Sequence, residues 1–395
     1  MLGVGLAIAW FAVISLALVA AAAVERRARM APGSDRPELA PRRALWGGGP
    51  LHPPGRHMLV RALASGSRIV RARTRVADRS EGLRFAARGV ACIALASALS
   101  LVPFAGSVGG RPDGAPLVVV DLEHGLVALI LFVLLAAMAQ VAIGLAEAGL
   151  FARLACLRIT GRVLALVGTL AIVLAPLALT SGSLRLHAIV LDQQGTIAPL
   201  ALLAGLFEDG AAAPLGPILE ARIWPAWHLF RQPITALLFV PVLGLLLRRP
   251  LSLDPIGGGT RLAAFGHDDD PGELYWARIE ERLAGVLGAA LLVALFLGAG
   301  AIPFLPTDRI IAPLVPFFGE GLPAILGCAV ETGVFFAKLV LVLVLFARSA
   351  RSMAALRDDQ WIRLVTRRIL PLAWANLLLV FATTLLLDTA GKGAA

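Results

Sequence analysis

Apolar positions in this chain come in long uninterrupted runs, with polar positions clustered between them. A helix crossing ~30 Å of hydrocarbon needs about 20 predominantly apolar residues. Runs of that kind occupy 2–24, 85–106, 125–146, 162–180, 229–247, 283–301, 328–347 and 369–387. The pattern predicts an all-α, polytopic membrane protein of about eight transmembrane helices, forming one membrane domain over 1–395. Two further apolar stretches, 196–207 and 310–326, are short or interrupted by Pro199, Pro313, Pro316 and Pro323. They are expected as interfacial or re-entrant pieces on the outer side, which leaves nine spans as the upper count.

Composition removes the soluble alternatives. Apolar residues make up 58% of the 395 and charged residues 16%, against roughly 25% charged in an ordinary globular domain. A soluble chain this apolar has too few polar groups to cover its surface. The net charge of +10 is carried by arginine, since Lys338 and Lys392 are the only lysines. A basic balance suits nucleic acid or an anionic membrane surface. Because the arginines sit in loops beside apolar spans, the bilayer is the expected partner and nucleic acid is not.

The arginines also set an orientation. Residues 25–84 hold fourteen Arg against five acidic residues. Arg153, Arg158 and Arg162 follow the third span, Arg248 and Arg249 the fifth, and Arg348 to Arg368 the seventh. The intervening loops are poor in Arg. Cytoplasmic loops carry the Lys/Arg excess, so the N- and C-termini are expected outside the inner (cytoplasmic) membrane. The longest cytoplasmic loop is then 25–84, with an amphipathic stretch at 59–73, and the longest external loop is 181–228. The first span is not expected to be a cleaved signal, because no charge precedes it and Glu25-Arg26-Arg27 follows it.

Chemistry is sparse. Cys92, Cys156 and Cys328 form no CxxC pair, so no zinc or iron–sulfur ligand set is visible, and they are expected as buried thiols. Asp268, Asp269 and Asp270 in the Gly-rich segment 257–272 read as a solvated loop rather than a metal site. The run Gly257 to Gly259 lacks the Lys-Ser/Thr of a phosphate loop. Lys338 stands out, mid-span and the only intramembrane lysine. A charge there costs at least ~2.5 kcal/mol on insertion scales and must face protein or water. It reads as a charge or proton relay, or else as a structural ion pair with Glu331 or Glu281. Glu280, Glu281 and Arg282 read as the charged start of the sixth span, and Gln140, Glu147, Arg158 and Arg162 as flanking the junction of spans three and four.

Several short motifs follow one another along the chain: Glu25-Arg26-Arg27 after the first span, then Gly49-Pro50 with Gly55, then Ala64-Ser65-Gly66-Ser67-Arg68. They resemble the early motifs of one family within the proton-pumping NADH:quinone oxidoreductase, respiratory complex I, that of the eight-span membrane subunits at the junction between the electron-transfer arm and the membrane arm. Asp121-Leu122-x-x-Gly125 resembles the opening of its third helix, and Leu157-Arg158 the arginine after it. Arg248-Arg249-Pro250, Glu281, Phe335-Phe336-Ala337-Lys338, Arg357-Asp358-Asp359-Gln360, Leu370-Pro371-Leu372 and Asn376-Leu377-Leu378 continue the likeness. Departures are concentrated at acids: Ser65, Leu245, Ser252, Leu166-Val167 and the Pro255 to Gly259 run stand where the family carries carboxylates.

The resemblance implies a non-redox subunit of a translocase, with no catalysis alone, no catalytic residue or metal of its own and no cofactor bound by this chain. Quinone is the substrate of the complex. Implied partners are the quinone-site and iron–sulfur subunits and small membrane subunits. Span 1, the stretch 59–73 and spans 6 and 7 would line a quinone-access cavity. Arg68, Glu281 and Lys338, with Arg158 and Arg26, would serve charge coupling. The alternatives are the anchor of an energy-converting hydrogenase-type complex, a stand-alone transporter, or a scaffold subunit that has lost coupling.

Overall fold

The computed structural model describes residues 79–106, 116–146, 150–194, 196–197, 224–247, 271–304, 313, 315–319, 321–352 and 358–393. The expected first span, the 25–84 loop up to residue 78 with its 59–73 stretch, most of the expected external loop, and Asp268 to Asp270 lie outside them.

The long apolar runs fold as helices because only a helix satisfies every backbone N–H and C=O within one segment. They are α1 (Arg79–Ser100), α2 (Gly125–Ala146), α3 (Leu150–Ser181), α6 (Pro233–Leu247), α7 (Pro271–Phe296), α9 (Gly321–Ser352) and α11 (Leu370–Gly393). Short helices α4 (Leu186–Leu191), α5 (His228–Arg231), α8 (Val315–Phe318) and α10 (Asp358–Leu364) connect them, and a π-helical turn, Val365–Ile369, joins α10 to α11. Among the described residues the only sheet is a two-residue antiparallel pair, β1 (Thr196–Ile197) with β2 (Trp224–Pro225).

Five of these helices are long and apolar enough to cross a membrane, over Gly82–Ser100, Gly125–Ala146, Val163–Ser181, Gly321–Phe346 and Ile362–Leu386. Pro233–Leu243 and Arg282–Phe296 are shorter apolar helices. The expected span at 125–146 coincides with α2. Others differ, each for a local reason. The predicted 229–247 helix breaks at Gln232 (φ −136°, ψ 64°), because the ring of Pro233 disfavours helical geometry in the residue before it. The predicted 283–301 helix stops at Phe296, where Gly298 (φ 67°) and Ala299 (φ 47°) turn left-handed. The 310–326 stretch is not one separate piece: from Gly321 it is already α9. Pro323 is tolerated there since it falls in the first turn, whose N–H groups have no helical partner. Arg153, Arg158 and Arg162 belong to α3 rather than to a loop. The Leu- and Ala-rich sequence from Leu150 to Leu157 favours helix, with no glycine before Gly161.

α7 is the centre of the bundle and packs against α1, α6 and α9. Its apolar part is buried on nearly all sides, from Leu283 through Ala284, Val286, Leu287 and Ala289 to Phe296, as expected of a helix without a polar face. Small residues there, Ala284, Ala289, Ala290 and Ala294, let neighbouring backbones approach closely. α2 and α3 pack on one another, with α1 beside α2 and α11 beside α3. α11 is the least enclosed span: Leu372, Trp374, Leu378, Leu379, Phe381, Leu385 and Leu386 are all exposed. An apolar exposed face suits lipid contact. Of the three free thiols, Cys92 and Cys156 are buried as expected, and Cys328 is partly exposed.

Candidate functional site

The break at the end of α7 gathers the most unusual polar contacts. Once a helix stops, its last carbonyls have lost their partners. The Lys338 ammonium of α9 donates to three carbonyls just past this break: Leu297 O at 2.6 Å, Ala299 O at 3.0 Å and Ala301 O at 2.6 Å. It also lies 4.3 Å from the ring centroid of Trp227, within cation–π range. Trp227 is stacked on Phe230, which meets Trp224 edge-on. These three Lys338 hydrogen bonds are thus all to backbone carbonyls, whereas the expected alternative to a relay is an ion pair with Glu331 or Glu281. Glu331, nearly two turns earlier on α9, accepts the Gly106 N–H at 3.2 Å.

A second side chain ties the same break. Gln193, completely buried, donates to Ala294 O at 2.8 Å and accepts the Gly298 N–H at 3.0 Å. Its oxygen also takes the His228 N–H at 3.4 Å, and its amide reaches Ile189 O at 3.4 Å. All four hydrogen-bonding positions of the amide are used. His228, outside the long spans, is buried beside it. Burial, reinforced by Arg231 and opposed by Asp192, pushes its imidazole down to about 4.

Arg88 of α1, Gln140 of α2 and Glu280 of α7 are each nearly or fully inaccessible. The Gln140 amide donates to the Glu280 carboxylate. A hydrogen-bond chain links α11, α6 and α3: Asn376 Nδ2 to Thr235 Oγ1 at 2.9 Å, Thr235 Oγ1 to Gln232 Oε1 at 3.2 Å, and Gln232 Nε2 to Thr180 Oγ1 at 2.9 Å.

Of the five residues expected to serve charge coupling, Lys338 is the one whose side-chain surroundings the structure describes. Glu281 stands in α7 and Arg158 in α3, with side chains outside the described set; Arg26 and Arg68 lie wholly outside it. The structure does not describe these five together. Gln193, Trp227 and Arg88 were not anticipated. Arg88 had a visible signal, a charge inside a predicted span, whereas Gln193 and Trp227 had none. Among the described residues no group of three His, Cys, Asp or Glu is placed to hold a metal ion.

Long apolar helices that pack around an apolar core, with a few buried polar side chains, make this a multi-pass helical membrane protein. Residues 49–240, just under half of the chain, match the family model described as NADH dehydrogenase. The match takes in α1 to α5 and the first half of α6, and Arg68 and Arg158. It stops short of α7 and α9, which carry Glu281 and Lys338. No curated protein matches the chain.

Proposed function

We propose that this chain is a membrane subunit of a proton-translocating NADH:quinone oxidoreductase, similar to the subunit that joins the two arms of respiratory complex I. The observation that carries the reading is the family match over residues 49–240. The ordered motifs on both sides of that stretch extend it, from Glu25-Arg26-Arg27 to Asn376.

In this reading the chain sits in the inner membrane with its N-terminus outside. Its Arg-rich side helps to wall a quinone-access cavity against the electron-transfer arm. The chain holds no redox centre: electrons reach quinone from iron–sulfur centres of a partner subunit. Arg26, Arg68, Arg158, Glu281 and Lys338 supply the charges that respond to quinone reduction. Buried charges are costly in a membrane interior and are kept where they pair or act.

The test is purification from native membranes under mild detergent, with identification of the attached subunits. Co-purifying iron–sulfur and NADH-oxidising subunits are the expected result. A nickel–iron large subunit in their place would move the assignment to a hydrogenase-type complex, and a chain active without partners would make it a transporter. One observation favours a scaffold role within the same complex: Ser65, Leu245 and Ser252 stand where the family carries acids. Quinone-linked proton pumping unchanged by Lys338→Ala would support that second reading.

A further inference from the structure

The Lys338 contacts have the form of a bound ion more than of a side-chain pair. Three backbone carbonyls from one five-residue turn, Leu297, Ala299 and Ala301, converge on a single nitrogen at 2.6–3.0 Å. The Trp227 ring face closes another side at 4.3 Å. The turn ends the apolar part of α7, Arg282–Phe296, so its carbonyls lie past the last helical turn and have no further turn of that helix to bond. In discontinuous membrane helices, unwound carbonyls and the negative C-terminal dipole end coordinate monovalent cations. The left-handed backbone at Gly298 (φ 67°) and Ala299 (φ 47°) helps turn alternate carbonyls to one side. Gln193 pins the turn from behind through Ala294 O and Gly298 N, so the turn has a support that does not involve the lysine.

We infer that the turn Leu297–Ala301 and Trp227 form a monovalent-cation cradle of ammonium type, and that Lys338 is its tethered occupant. The butyl stem delivers the ion; the carbonyls and the indole hold it. The inference does not depend on the respiratory reading, since it concerns how the α7 break is held in any assembly that contains this chain. An untethered ammonium ion offers the same N–H donors and can enter the cradle once the side chain is cut away.

The experiment is a thermal unfolding series on the full chain, purified with its attached subunits, as wild type and as Lys338→Ala. Ammonium chloride is titrated against tetramethylammonium chloride at equal ionic strength. The alanine variant is expected to unfold several degrees lower than wild type and to regain most of that loss in ammonium but not in tetramethylammonium, which has no N–H donor. Wild type, its cradle already filled, is expected to respond equally to both salts. Lys338→Gln, uncharged but able to fill part of the space, gives the same comparison if the alanine variant does not accumulate. Equal responses of the variant to the two salts, or a variant as stable as wild type without ammonium, would overturn the inference. Neither result bears on which subunits co-purify, so failure here is distinct from failure of the respiratory assignment.

Discussion

Lys338 on α9 reaches 2.6 Å from the carbonyl of Leu297, forty-one positions earlier, and so joins the middle of one span to the end of another. α9 and α7 pack against one another, and this contact sets their relative height. Shifting either helix by one turn, about 5.4 Å, would separate the ammonium from all three carbonyls.

Gln193 is the support on the other side of the same turn, and its replacement is the cleanest test of that support. Gln193→Leu keeps the volume but leaves Ala294 O and Gly298 N without their partner. A buried polar group stripped of its bond costs about 1–3 kcal/mol. The variant is expected to unfold at lower temperature than wild type, measured by tryptophan fluorescence in detergent. An unchanged midpoint would mean that the break is held by Lys338 alone.

Gly298 cannot carry a side chain for two reasons at once. Its φ is +67°, and a Cβ would come within 2.5 Å of the Trp227 indole nitrogen. Left-handed backbone at a non-glycine residue costs about 1–3 kcal/mol, before Trp227 is displaced from Lys338. Gly298→Ala is therefore expected to lose stability, and more than the control Gly285→Ala, whose added Cβ meets nothing within 4 Å. Equal losses for the two would remove the close approach from the account.

Asn376 and Thr235 join α11 to α6 through one hydrogen bond of 2.9 Å. Hydrogen bonds between membrane helices average about 0.6 kcal/mol and reach about 1.7. Asn376→Leu is expected to lower the unfolding midpoint by a small but measurable amount, and Thr235→Val to add little on top of it. Fully additive losses in the double-mutant cycle would show that the two residues are not coupled.

Acid should weaken the fold through His228. Burial holds its folded-state value at about 4, below the ordinary ~6.5 of an unfolded histidine. The neutral ring is the one the fold accommodates, so its contribution is fully present above about pH 6.5 and lost as pH falls toward 4. The difference in unfolding midpoint between wild type and His228→Gln is expected to shrink over that window. A difference independent of pH would remove His228 from the acid response.

The separation of roles between sequence and tertiary structure follows from range. Hydropathy is summed over neighbours in the chain, and it was enough to place α2 at 125–146, to mark α3, α9 and α11 as spans, and to pick Lys338 out as a charge that must face inward. The arginine asymmetry was equally plain. Helix ends were less legible, because they turn on backbone details such as the Gln232–Pro233 junction and the left-handed pair at Gly298 and Ala299. The site itself was not legible at all beyond its lysine. Gln193 meets Ala294 across 101 residues, and Gln140 meets Glu280 across 140. A local pattern carries no record of such partners. The sequence determined that a cation would be buried in the span. Only packing decided that it would be answered by three carbonyls of a broken helix rather than by a carboxylate, since the free carbonyls exist only once α7 has ended beside α9.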